Sequence, residues 1–218
     1  MNKVNERKRT IKGYNLDLYD DRDSDGWFQM PIIFSDDVVP NDMIPFNCAM
    51  TSKHYDCGVH MFIDDYQFER LWNTPSKYVE ILKRFKCVCT PDFSLYTDMP
   101  MAMKVWNTYR SRLLGQFWQS QGIRVIPTIS WAEQETYKFC FDGIEYGCIV
   151  AISTTGIKRD KESLKIWHDG IDAMIEFINP GYILIYGEYI QHDFHGISVK
   201  WYKNHIVERA RKMAKERV

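Results

Sequence analysis

From about residue 59 onward, short runs of apolar and β-branched residues alternate with longer segments whose apolar positions recur every three or four residues. That rhythm restricts the fold more than any other feature, because a strand followed by a covering helix returns to pair beside its neighbour through a right-handed crossover. Strand-like runs occupy 59–63, 87–93, 123–130, 148–153 and 182–186, and helix-like segments occupy 66–85, 100–121, 133–137 and 160–178. The last is the clearest: Leu164, Trp167, Ile171, Met174, Ile175 and Ile178 share one face, and Pro180 with Gly181 ends it. Strands apolar on both faces need cover on both sides. The expected fold is therefore α/β, a mainly parallel sheet of five or six strands with flanking helices. An open, doubly wound sheet is the first reading. An incomplete barrel is the alternative, since a closed eight-unit barrel normally takes about 250 residues.

Three regions follow from the flanks. Residues 1–29 carry Lys3, Arg7, Lys8, Arg9 and Lys12 and then Asp17, Asp20, Asp21, Asp23 and Asp25, which reads as a mobile charged arm. Residues 30–199 read as a single α/β domain, opening on a short strand at 30–34 and an extended connection marked by Pro31, Pro40 and Pro45. Residues 200–218 read as a basic helix with Trp201 and Tyr202 at its foot. With 28 Lys and Arg against 29 Asp and Glu, no global field draws the chain onto nucleic acid or an anionic membrane. Any nucleic-acid contact falls to the basic termini. There is no apolar run long enough to span a bilayer and no signal-peptide core, so the expected location is the cytoplasm, without a membrane partner. The six Cys are then free thiols, with Cys87 and Cys89 on one face of a strand. The 15% aromatic content leaves room for an oligomer interface.

In parallel α/β folds ligands bind beyond the carboxyl ends of the strands. There this chain places Asp64 and Asp65, then Asp92, Ser94, Tyr96 and Asp98, then Trp131 and Glu133, then Thr154, Thr155 and Gly156, and finally Gly187 and Glu188. Asp64, Asp65, Asp92 and Glu188 are the candidate catalytic set, serving as acid, base or oxygen ligands of a divalent metal. Each acid alone is equally at home in a helix cap or first turn, as Asp64, Asp98 and Glu133 would be. Asn107 and Arg110 share a helix face suited to holding a phosphate or carboxylate, or Arg110 simply pairs with Asp92 or Asp98. Tyr96 and Trp131 offer stacking surfaces, and Thr155 leads into a helix N-terminus that accepts anions.

Several patterns are excluded or discounted. Neither a P-loop nor a G-x-G-x-x-G fingerprint is present. Asp21, Asp23, Asp25 and Gly26 imitate a calcium loop, but its twelfth position is Ile32 in place of a bidentate Glu. Glu188, His192 and His195 have ligand-compatible spacing without a supporting metal motif.

The phrases Asp64-Asp65-Tyr66, Pro91-Asp92-Phe93-Ser94 with Tyr96, Asp98, Met99 and Pro100, and Asn107 with Tyr109, Arg110 and Arg112 carry a resemblance, continued by Val125-Ile126-Pro127, Trp131, Phe141-Asp142-Gly143 and Tyr186-Gly187. Over about residues 30–190 the chain resembles an uncharacterised domain family of bacterial phages, plasmids and integrative elements. The resemblance implies a mobile-element setting and no particular activity. Two functional expectations stand beside it. One is an enzyme or binding protein, of the nucleotide-binding or hydrolase kind, acting on a phosphate-bearing or sugar-bearing small molecule. The other is a noncatalytic accessory protein that binds a host protein or nucleic acid.

Overall fold

The computed structural model describes residues 3–157 and 160–204. After helix α1 (Lys3–Gly13), the chain runs along the outside of the domain. Asn15 is buried and donates to the Trp72 carbonyl at 2.9 Å, while Gln116 accepts from Asp20 N at 3.0 Å and donates to Asp23 O at 2.8 Å. Residues 14–29 are thus tied down, in contrast to the free arm expected from their charge. Strand β1 (Ser24–Asp25) pairs antiparallel with β2 (Met30–Pro31) as a small ribbon.

The main body holds two parallel sheets. The first contains β3 (Met43–Pro45), β4 (Gly58–His60), β5 (Cys87–Cys89) and β6 (Val125–Ile126), and the second contains β7 (Ile149–Ser153), β8 (Tyr182–Tyr186) and β9 (Ser198–Tyr202), each in chain order. A parallel bridge between Thr128 and Ala151 joins them. Among the described residues seven parallel strands stand in these two sheets, five of them at the expected runs. The two additions are β3, inside the proline-rich connection, and β9, where Lys200, Trp201 and Tyr202 are strand residues and not the start of a helix. The remainder of the expected basic helix, 205–218, lies outside the described residues.

The helices are α2 (Phe46–Ala49), α3 (Asp65–Asn73), α4 (Val79–Leu82), α5 (Met101–Ser120), α6 (Tyr137–Cys140) and α7 (Lys161–Ile178). The single helix expected over 66–85 is broken after Asn73, because Thr74 leaves the helical region (φ −144°, ψ 66°) ahead of Pro75 and a 3-10 turn, Pro75–Tyr78, intervenes. Helix α7 starts on Asp160, whose side chain accepts from Ser163 N at 2.7 Å, and stops at Asn179 in the left-handed region (φ 44°).

Strand order without reversal excludes the doubly wound switch point, and the packing explains the alternative. Side chains alternate across each strand, so Val59, Val88 and Val125 face the helices of the first sheet, and Val150, Ile152, Ile183 and Ile185 pack on the α7 side. The opposite faces meet in one interior built from Met43, Cys87, Cys89, Ile126, Ala151, Leu184, Tyr186 and Tyr202, with Phe62 from just beyond β4. Two sheets curved around a shared core form a barrel that no backbone ladder closes between β9 and β3. At that seam Tyr202 Oη and Lys200 Nζ both donate to Pro40 O, each at 2.7 Å. Tyr202→Phe is expected to lower unfolding free energy by about 0.5–1.5 kcal/mol, the net worth of one such bond, as read by urea denaturation.

The six cysteines are free thiols, and burial pushes the Cys87 thiol up to about 12. No helix among the described residues is long and apolar enough to cross a membrane.

Candidate functional site

The carboxyl ends of β4, β5, β6 and β7, together with the first turns of α7, surround a cleft of about 800 Å³. Asp92, three residues beyond β5, lines it and accepts a hydrogen bond from Ser130 Oγ, which reaches over from the end of the neighbouring β6. Burial pushes the Asp92 carboxyl up to about 7; the Ser130 bond pulls partly the other way, and the negative charge of Asp65 adds to the rise. Asp65 opens α3 and accepts from both Ser94 N (3.0 Å) and Ser94 Oγ (2.8 Å), tying the β4 end to the β5 end. Asp64 stands exposed beside it, with Gln67 Nε2 at 3.4 Å.

Tyr96 projects at the rim, 62% exposed, its Oη 3.2 Å from Ser94 Oγ. On the opposite side Trp131 donates from Nε1 to Ile166 O at 3.0 Å. The nitrogen-bearing edge of its ring closes on Gly170, where an added Cβ would stand 1.9 Å from that nitrogen, so only glycine lets this wall form. Ser153 Oγ donates to Thr155 Oγ1 at 2.9 Å, and Thr155 N donates back to Ser153 Oγ at 3.0 Å. Both line the cleft, as do Asp160, Ser163 and Trp167 of the α7 start.

Asp64, Asp65, Asp92, Tyr96, Trp131 and Thr155 therefore share one cleft. Glu188, Asn107 and Arg110 are not among its lining residues. Glu188 follows β8, and its backbone carbonyl accepts from Thr154 Oγ1 at 2.8 Å. The anion-holding role expected of Arg110 and Asn107 gives way to a supporting one. Arg110 reaches Glu69 at 2.6 Å, in place of the expected Asp92 or Asp98, donates to Asn107 Oδ1 at 2.7 Å, and lies 3.8 Å above the Phe93 ring. Asn107 in turn donates to Ser94 O at 2.7 Å, so the pair braces the Asp92–Ser94 stretch from behind.

Ser130 and Lys104 were missed by the sequence reading. Ser130 ends a strand-like run just as Asp92 follows one, so the same strand-end rule finds it. Lys104 gave no signal: it sits on the buried face of α5, where its Nζ contacts Glu133 Oε1 and donates to Thr97 O at 3.2 Å, pinning the cleft rim. Among the described residues no group of three or more His, Cys, Asp or Glu side chains is placed to hold a metal ion.

The family model described as Domain of unknown function (DUF4417) matches residues 22–203, and the chain belongs to that family. It is 41% identical over 160 residues to the Gene 1 protein of Mycobacterium phage L5, covering 70% of this chain and 70% of that one. It is 40% identical over 159 residues to the Gene 1 protein of Mycobacterium phage D29, covering 69% of this chain and 59% of that one. No solved structure matches it.

Proposed function

We propose that this member of the DUF4417 family binds a small hydroxyl-rich organic molecule of the sugar or nucleoside class in the strand-end cleft, with Asp92 giving or taking the proton. The observation that carries this reading is the placement of Asp92 in a cleft that also presents flat aromatic faces and several hydroxyls. Trp131, Trp167 and Tyr96 suit a sugar ring face or a base, while Ser94, Ser153, Thr155 and Ser163 suit hydroxyl partners. The described lining residues include the carboxylates Asp64, Asp65, Asp92, Asp98 and Asp160, which suit the hydroxyls of such a ligand as hydrogen-bond acceptors.

Asp92 suits proton transfer because a group whose pKa lies near the working pH populates both of its forms there. A titration of sugars, nucleosides and nucleotides by calorimetry or ligand-observed NMR tests the reading, with wild type beside Trp131→Leu and Asp92→Asn. The expected result is binding of at least one unphosphorylated compound, weakened on the order of tenfold or more by Trp131→Leu. Any turnover of that compound should show a limb centred near pH 7, where Asp92 changes charge, and the limb should be missing in Asp92→Asn. A ligand whose affinity ignores both substitutions binds elsewhere and ends the proposal.

A further inference from the structure

Two carboxylates reach the cleft from neighbouring strand ends, and their surroundings differ. Asp65 opens α3 beyond β4, and Asp92 follows β5, the strand that pairs with β4. Both oxygens of Asp65 are engaged, Oδ2 accepting from Ser94 N at 3.0 Å and Oδ1 from Ser94 Oγ at 2.8 Å. Ser94 stands two residues after Asp92, so these bonds hold one acid in place against the other. Asp92 meets its donor, the Ser130 hydroxyl, at Oδ1. Burial pushes the Asp92 carboxyl up to about 7, and the negative charge of Asp65 adds to the rise. One member of the pair thus carries a proton in about half of the molecules at neutral pH, while the other is an anion. The same cleft wall holds a donor still to be satisfied: Trp167 is 2% exposed, and its Nε1 has no hydrogen-bond partner.

We propose that the cleft hydrolyses a glycosidic bond, with Asp92 giving its proton to the leaving atom and Asp65 taking one from the attacking water. The inference rests on the reading that a sugar or nucleoside occupies this cleft, and it names the reaction carried out there. Neighbouring strands run about 4.8 Å apart, so acids at adjacent strand ends fall in the range, roughly 5 to 10 Å, that a carboxylate pair needs to flank a sugar bond. The bond between the anomeric carbon and the leaving oxygen or nitrogen breaks, its electron pair going to the leaving atom, which takes the Asp92 proton. Water oxygen bonds to the anomeric carbon and passes a proton to Asp65. Atoms and charge balance, because Asp92 ends as the anion and Asp65 as the acid, and a proton exchange with solvent restores both. The Asp65 charge also suits the positive charge that builds on the sugar ring as the bond lengthens. Trp131 and Tyr96 would hold the ring or base by its faces.

The test incubates the full chain with ribonucleosides, with deoxyribonucleosides and with nitrophenyl glycosides of common hexoses, reading free base by chromatography and nitrophenolate by absorbance. Those arms separate N-linked from O-linked substrates, and calorimetry measures the binding of each intact compound in parallel. We expect turnover in one arm, with kcat lowered on the order of 10²–10⁴-fold by Asp92→Asn and by Asp65→Asn. Affinity for the intact compound should change far less in either. The wild-type rate should fall as pH rises through about 7, the direction of a group acting as an acid, and the residual rate of Asp65→Asn should keep that limb. Asp65→Glu, which retains the carboxylate, should recover part of the rate, and a melt of each variant checks its fold. Binding without bond cleavage, cleavage that ignores Asp65→Asn, or a rate that climbs through pH 7 overturns the hydrolysis while the binding reading stands. Absence of binding by every compound ends that reading and the hydrolysis together.

Discussion

Arg112→Met is expected to lower the unfolding free energy by about 3–5 kcal/mol, the cost typical of breaking a buried charged network from one side. Arg112 is 2% exposed, yet its guanidinium is fully engaged: it donates to Asp142 O at 3.0 Å, Thr128 O at 3.0 Å and Cys140 O at 2.7 Å. Burial pushes its pKa down to about 10, which leaves it charged at neutral pH. Methionine fills much of the volume but provides no donor, so three carbonyls at the end of β6 and around α6 lose their partner at once. Thr128 lies two residues before Ser130, the partner of Asp92, so the same substitution should loosen the cleft wall as well as the core. Urea denaturation of Arg112→Met beside Arg110→Met gives the comparison. Arg110 is less sealed, and its ion pair with Glu69 faces solvent on the Glu69 side, so its loss should cost distinctly less. Equal costs would show that the three carbonyl bonds contribute nothing special.

The pair also shows where sequence reading reached its limit. Asn107, Arg110 and Arg112 stand in one segment, and their helix was legible, but residues 110–118 of α5 are all buried. A helix enclosed on nearly every side has no polar face to reveal where each guanidinium points, so Arg110 read either as a ligand clamp or as a partner of Asp92 or Asp98. The charged partner of Arg110, Glu69, lies 41 residues away, and the partners of Arg112 lie between 16 and 30 away. Their pairing is a property of the assembled layers.

The strand-end rule succeeded for a different reason. In a parallel sheet the direction of every strand is shared, so residues just after the strands emerge at one end whatever the order. It brought Asp65, Asp92 and Trp131 to one cleft and left Glu188, placed by the same rule, outside the lining. Strand order itself leaves no local trace, and the choice between a doubly wound sheet and an unclosed barrel rested on contacts such as Tyr202 to Pro40, 162 residues apart. Strand β3 was hidden because a three-residue strand ending on Pro45 cannot display an alternation. Strand β9 was hidden by Lys200, whose charge suggested a solvated helix although its ammonium reaches the Pro40 carbonyl at the seam.

Asp92→Asn is expected to stabilise the protein at pH 8 while removing the proton-transfer role proposed for this residue. The Asp92 carboxyl titrates near 7 in the folded chain against an ordinary 3.8, so between those values the folded state binds a proton that the unfolded state has released. Stability therefore falls as pH rises from about 4 to about 7 and stays low above, the sign expected when a carboxylate's folded pKa is raised. At 1.36 kcal/mol per pKa unit the full effect is roughly 4 kcal/mol, an upper bound because Asp92 keeps some contact with the cleft. Asparagine retains an acceptor for Ser130 Oγ and carries no charge to desolvate. The difference in melting temperature between Asp92→Asn and wild type should then be large at pH 8 and shrink toward zero near pH 4, a comparison that cancels the titration of every other group. Catalysis should move the other way, dropping on the order of 10²–10⁴-fold if Asp92 is the acid or base. A carboxylate kept at such a cost to the fold is the signature of a residue retained for chemistry, and a variant that is both less stable and unchanged in binding would instead make Asp92 a structural partner of Ser130.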